Sequence, residues 1–151
     1  MQNNQQVLVG AAHWDHPHWH GGFYPADLPS DWMLSYYNTH FQAVYLPAEV
    51  WQRCTDETWI QWLTDSMEGF FFVLEPASNG QAQPSSERVL MATVAWEKEH
   101  VWWLDERPDL RALSQRITHQ ATTGTPVFAF SRAGNLNLLE QVNSLKQIMG
   151  Y

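Results

Sequence analysis

The chain has 151 residues, a formal net charge of −8 and a sequence pI near 5.2. Apolar residues make up 44% and charged residues 16%, which fits one globular domain over residues 1–151 and excludes a disordered chain. Only eight Lys and Arg are present and they do not cluster, so phosphate neutralisation on a nucleic acid, or attraction to an anionic membrane surface, is not expected.

Val7-Leu8-Val9 reads as a buried strand that breaks at Gly10 into a loop rich in His and Trp, leaving through Gly21-Gly22 into Phe23-Tyr24-Pro25. Ser30 and Asp31 suit the start of a helix, with Ser30 as N-cap, and Leu34, Tyr37 and Phe41 place one apolar face toward the core. Ala43 to Leu46 predicts a short buried strand stopped by Pro47. Thr55-Asp56-Glu57 opens a second helix with Ile60, Leu63 and Met67 on one face, flanked by Trp59 and Trp62 and ended by Gly69. Phe70 to Leu74 is a strand without alternation, so both its faces are expected to be covered.

Ala77 to Ser86 has the composition of a loop. Ser86 to His100 mixes strand and helix formers; with no turn before the next strand, a helix is the expectation. Val101 to Leu104 is a strand, and Pro108-Asp109 leads into a helix carrying Leu110, Leu113 and Ile117, closed by Gly124. Pro126 to Phe130 is a further strand. Asn137 and Glu140 are spaced as a capping box for the last helix, with Leu138, Val142, Leu145 and Met149 in register.

Alternation of this kind gives an α/β fold of about five parallel βα units with crossover helices. Nine Trp serve either core packing or an aromatic pocket or interface. Cys54 is the sole cysteine, which rules out an internal disulfide and suits a reducing compartment. It is read as structural sooner than as a nucleophile. The start MQNNQQ lacks a secretory leader pattern, and no apolar run is long enough to span a bilayer; a cytoplasmic location is expected.

The opening stretch resembles the YecE-like family, known as domain of unknown function seventy-two. The likeness runs in register through Gly10, Trp14, Pro17, Trp19, Gly21, Phe23, Tyr24 and Pro25, then Leu28-Pro29, Tyr36-Tyr37, Phe41 and Val44. A weaker likeness returns over Val127 to Met149. The resemblance implies a TIM-type (β/α) barrel and no established activity. Eight βα units need about 250 residues, so this chain would be a truncated and divergent member. It departs from the family at Tyr45-Leu46-Pro47, where relatives carry an acidic residue and an Asn, and at Ser131-Arg132-Ala133, where they carry an Asn-rich turn.

In such folds the site lies at the carboxyl ends of the strands. Trp14, Trp19, His20, Tyr24, Glu49, Arg107 and Arg132 are the candidate ligand-binding residues there, and Glu75 and Asp105 the candidate catalytic carboxylates, as in sugar or phosphate-ester hydrolysis. The same carboxylates equally suit helix capping or Arg pairing. His13, His16 and His18 have the density of a divalent-metal site without any stereotyped ligand spacing. No phosphate-cradling Gly motif or nucleophile elbow is present. The expected function is noncatalytic or weakly active binding of a small molecule or partner, with a metal-dependent hydrolase as the alternative. Exposed sheet edges of an incomplete barrel would invite self-association into a homo-oligomer.

Overall fold

The computed structural model describes residues 5–151. The part of the MQNNQQ stretch at residues 1–4 lies outside them. Six parallel strands form two three-stranded sheets: β1 (Val7–Ala11), β6 (Val127–Ser131) and β5 (Val101–Trp103) in the order β1-β6-β5, and β2 (Ala43–Leu46), β3 (Phe71–Leu74) and β4 (Val89–Met91) in the order β2-β3-β4. Helices alternate with them: α1 (Met33–His40), α2 (Ala48–Trp51), α3 (Asp56–Asp65), α4 (Val94–His100), α5 (Leu110–Ala121) and α6 (Leu136–Met149). No helix among the described residues is long and apolar enough to cross a membrane.

The two sheets meet between β1 and β2 without a regular ladder. Ala12 and Tyr45 form one isolated parallel bridge, with the His13 amide donating to the Tyr45 carbonyl at 2.7 Å. Lower in the seam, side chains replace the ladder. The Tyr37 hydroxyl accepts from the Ala11 amide and donates to the Ala43 carbonyl, both at 2.7 Å, and Tyr37 is fully buried. Gln42 accepts from the Val9 amide through its side chain at 3.0 Å and donates to the Val9 carbonyl through its own amide at 3.1 Å. These bonds satisfy polar backbone that would otherwise be stranded in the interior. They also explain Gly10, which lies inside β1 and does not end it. A Cβ there would sit 1.8 Å from the Ala43 carbonyl oxygen and 2.6 Å from the Tyr37 hydroxyl.

Alternation along the strands divides the apolar side chains into two clusters. Leu8, Ala43, Tyr45, Val73, Val101, Phe128 and Phe130 pack together with Phe71, Leu90 and Trp103, so every strand contributes to this inner set. Val7, Val9, Val44, Phe72, Leu74, Trp102 and Val127 face the helices instead. β3 therefore has both faces covered, as its unbroken apolar run requires.

Several expectations need correction. There are six strands, not five, because Ser86 to His100 is not one helix. It holds β4, then Thr93 as N-cap accepting from the Trp96 amide, then the seven-residue α4. Ser30 does not cap α1: Pro29 precedes a 3-10 turn over Ser30–Trp32 that runs into the helix. On α3 the buried residue is Trp59, while Ile60 and Met67 are 64% and 65% exposed. An indole buries more apolar area than Ile or Met and sets the rotation of the helix. The cap of α6 is Asn135, accepting from the Leu138 amide at 3.2 Å, so the helix begins ahead of the Asn137–Glu140 pair.

Removing the Tyr37 hydroxyl keeps the ring but orphans a buried amide and a buried carbonyl. Tyr37→Phe is expected to lose about 2–4 kcal/mol in urea denaturation, and Gly10→Ala at least as much. Ile148→Ala, at a residue 83% exposed, is expected to change stability by less than about 0.5 kcal/mol.

Candidate functional site

The loop after β1 folds back over the strand ends. His13 takes a positive φ of 65°, which turns the chain sharply, and its Nδ1 accepts from the Trp14 amide at 2.9 Å. A 3-10 turn over Pro17–Trp19 then drives Trp19 into the core, where it is fully buried. Its Nε1–H donates to the Gly134 carbonyl at 2.8 Å, and His18 Nε2 donates to the same oxygen at 3.1 Å. Tyr24, also fully buried, donates its hydroxyl to the Trp14 carbonyl at 2.6 Å. Burial pushes the Tyr24 phenol well above its ordinary value, so it remains a donor. Trp14, Trp19 and Tyr24 thus build the floor and scaffold of the loop.

The imidazoles do not converge. His16 Nε2 donates to the Ala12 carbonyl at 2.7 Å and its ring lies tilted against Trp19 at 4.5 Å, while His20 Nε2 contacts Asp15 at 3.1 Å near the surface. A nitrogen that donates to a carbonyl carries its hydrogen and offers no lone pair to a metal. That engages Nε2 of His16 and His18, and the Trp14 amide engages Nδ1 of His13, leaving one nitrogen of each ring without a protein partner. Among the described residues no group of three His, Cys, Asp or Glu is arranged to hold a metal ion. His13, His16 and His18, the residues of the expected divalent-metal centre, form no such group.

The rim carboxylates serve backbone amides. Asp105 accepts from the Ser131 hydroxyl at 2.8 Å, from the Ala133 amide at 3.2 Å and from the Arg132 amide. Ser131, fully buried, accepts in turn from the Asn135 amide at 2.9 Å. Asp105 therefore shapes the β6–α6 turn from one side while Trp19 and His18 hold it from the other. Gly134 lies between them at φ 67°, and a Cβ there would come within 2.9 Å of the His16 ring. Glu75 accepts from the Ala48 amide at 2.9 Å, and its carbonyl accepts from Trp51 Nε1 at 2.7 Å. Glu49 is exposed in the first turn of α2 and meets none of these groups. Arg107 lies 4.2 Å over the Trp102 ring, on the helix-facing side of β5.

One grouping was not foreseen as a unit. Arg132 lies 3.9 Å over the Trp103 ring and 5.6 Å from the Tyr45 ring, which meet edge to face at 4.9 Å. Tyr45 is pushed up to about 12 by burial and by Glu75 and Glu97, with Arg132 acting in the opposite direction. Period-2 alternation could have found it, since Tyr45 and Trp103 both point inward and Arg132 follows an inward strand end. Cys54 is half-buried, donates weakly to the Val50 carbonyl, and burial pushes its thiol up, away from the reactive thiolate.

Residues 8–79 match the sequence family described as protein of unknown function DUF72. The match spans just under half of the chain and, with the likeness of fold below, supports a DUF72 family member. A crystal structure of a DUF72 family protein from Thermotoga maritima, at 2.20 Å resolution, superposes with a TM-score of 0.62 and 12% sequence identity, over 94% of this chain and 100% of that one. At that identity the likeness is one of fold. No curated protein matches the chain. The DUF72 assignment carries no activity, so the chemistry of the site rests on the side chains themselves.

In the loop after β1, burial lowers both His13 and His16 from the ordinary value of 6.5. Below about pH 6.5 the unfolded chain takes up protons that the native loop resists, so stability falls with pH until the native rings also protonate. Urea midpoints are expected to drop between pH 7.5 and 5.5. His13→Asn, tolerant of positive φ, should flatten that drop. Trp19→Phe should cost about 1–3 kcal/mol, through the lost bond to Gly134 and the space its ring leaves.

Proposed function

We propose that the chain is a noncatalytic binding domain whose ligand seat is the strand-end face formed by Tyr45, Trp103 and Arg132. The observation that carries this is the Arg132 guanidinium, stacked 3.9 Å over Trp103 and exposed. Among the described residues it has no carboxylate within ion-pair distance, the sole ion pair being His20–Asp15. A planar cation held flat on an indole and open to solvent suits a small carboxylate or phosphate, received by paired N–H donors. The aromatic neighbours favour a ligand with a flat apolar part.

The carboxylates support a noncatalytic reading over hydrolysis. Both oxygens of Asp105 and one of Glu75 already accept hydrogen bonds from the protein, which favours a structural role over proton transfer at a substrate. We read the fold as a shortened barrel of TIM type in a single domain. The inner cluster supports this, since it draws on all six strands and the strands follow one another in chain order across the β1–β2 seam. β4 and β5 each have one strand neighbour, and a second copy pairing there is the remaining route to a homo-oligomer. One cysteine, free, supports a reducing, cytoplasmic setting.

Benzoate is a suitable probe. It is expected to raise the melting temperature and quench Trp fluorescence saturably, and Arg132→Ala should weaken binding about tenfold or more. Quenching that survives Arg132→Ala, or no quenching by benzoate or inorganic phosphate, would return this face to a purely structural role.

A further inference from the structure

A second candidate site lies on the helix side of the fold, apart from the strand ends and independent of the reading above. A cavity of about 380 Å³ opens between the start of α1 and the face of α3. Trp14, Trp62 and Leu34 supply its apolar walls, and Asp31, Asp65 and Gln61 its polar ones. It continues into a shallower groove of about 550 Å³ that shares the same three polar residues and ends at Trp32, which is 63% exposed. Neither lining contains a Lys or Arg.

Three features describe what the cavity would accept. First, two carboxylates share it with no cation beside them. Asp65 accepts from Gln61 Nε2 at 2.8 Å, and Asp31 makes no hydrogen bond or ion pair among the described residues. Second, Trp14 and Trp62 meet edge to face at 4.8 Å, which leaves aromatic surface suited to a cation. Third, Trp14 is 94% buried, yet its indole N–H has no partner. Among the described residues the one sealed, unpartnered side-chain atom is Gln52 Oε1, so the Trp14 N–H is not sealed, and Trp14 is itself a wall of the cavity. A nearly buried donor without an acceptor points to a ligand oxygen.

We propose that this cavity binds a small aliphatic amino alcohol, its ammonium held by Asp31 and Asp65 and its hydroxyl oxygen accepting from the Trp14 indole N–H. The ammonium donates to the two carboxylates and lies against the indole faces, where charge-assisted bonds are strongest. A neutral polyol would leave the carboxylates uncompensated. An anion would meet two like charges.

Calorimetric titration with 4-amino-1-butanol, butylamine and 1,4-butanediol separates these contributions. The amino alcohol is expected to bind best, butylamine more weakly for want of the acceptor, and the diol at least tenfold more weakly than the amino alcohol. Asp31→Asn and Asp65→Asn should each weaken the amino alcohol by about tenfold, while Glu106→Gln, on the loop after β5 and outside the cavity lining, should not. Trp14→Phe, if its circular dichroism matches the parent, should abolish the preference for the amino alcohol over butylamine. If Trp14→Phe does not fold, the two Asp variants still decide the matter. Equal binding of the diol, no saturable binding of either amine, or retention of full affinity in both Asp variants would overturn the proposal. Because the benzoate test depends on Arg132 and this one on Asp31 and Asp65, either can fail without the other.

Discussion

The phenol of Tyr37 is the point on which the two sheets depend. At the β1–β2 seam the strands form one isolated bridge and no ladder, and a side chain from the helix between them supplies both a donor and an acceptor. The cost of leaving those groups bare in an apolar interior exceeds the modest net gain of an ordinary surface hydrogen bond. Gly10 gives the space, Tyr37 the chemistry and Gln42 a second pair of bonds one step along. With that seam closed, both sheets can share one inner cluster. Without it, Leu8 and Phe128 from one sheet and Val73 from the other would have no common surface.

A second device organises the strand ends. The turn from β6 into α6 is grasped from two sides, by Asp105 after β5 and by the indole and imidazole of the loop after β1. Gly134 serves both, offering a carbonyl to two donors and an unobstructed Cα to His16. Arg132, between these grips, is thereby presented over Trp103 with its guanidinium free of carboxylates. Among the polar groups of this rim, His18 and Asp105 fasten the turn that carries Arg132, whereas Glu75 fastens the start of α2.

Much of the fold was legible because strand faces repeat with period two and buried parallel strands are unbroken apolar runs. β2 matched its expected limits, and Leu34 with Tyr37 faced the core as their spacing implied. β4 was hidden for a physical reason: three residues are too few to show a period, and helix formers surround them. On α3 two apolar faces competed, and the larger rings won. The site was harder to read. Glu75 and Asp105 do follow the ends of β3 and β5, but a carboxylate facing a ligand and one capping a turn have the same spacing in sequence. Only the direction of the neighbouring amides separates them. Tyr45 and Trp103 come from strands distant in sequence, and their meeting under Arg132 depends on how the two sheets come together.

The seam has a bearing on how such a chain can drift over evolutionary time. Apolar interiors tolerate exchange when volume is kept, so most of the inner and outer clusters can be rewritten piecemeal. Gly10, Tyr37 and Gln42 have no such freedom, since each answers to backbone atoms and not to a neighbouring side chain. All three fall within residues 8–79, the part by which the family is recognised, whereas the structure superposes over 94% of the chain at 12% identity. A change at any of the three is met by main chain, which cannot repack around it as a neighbouring side chain can.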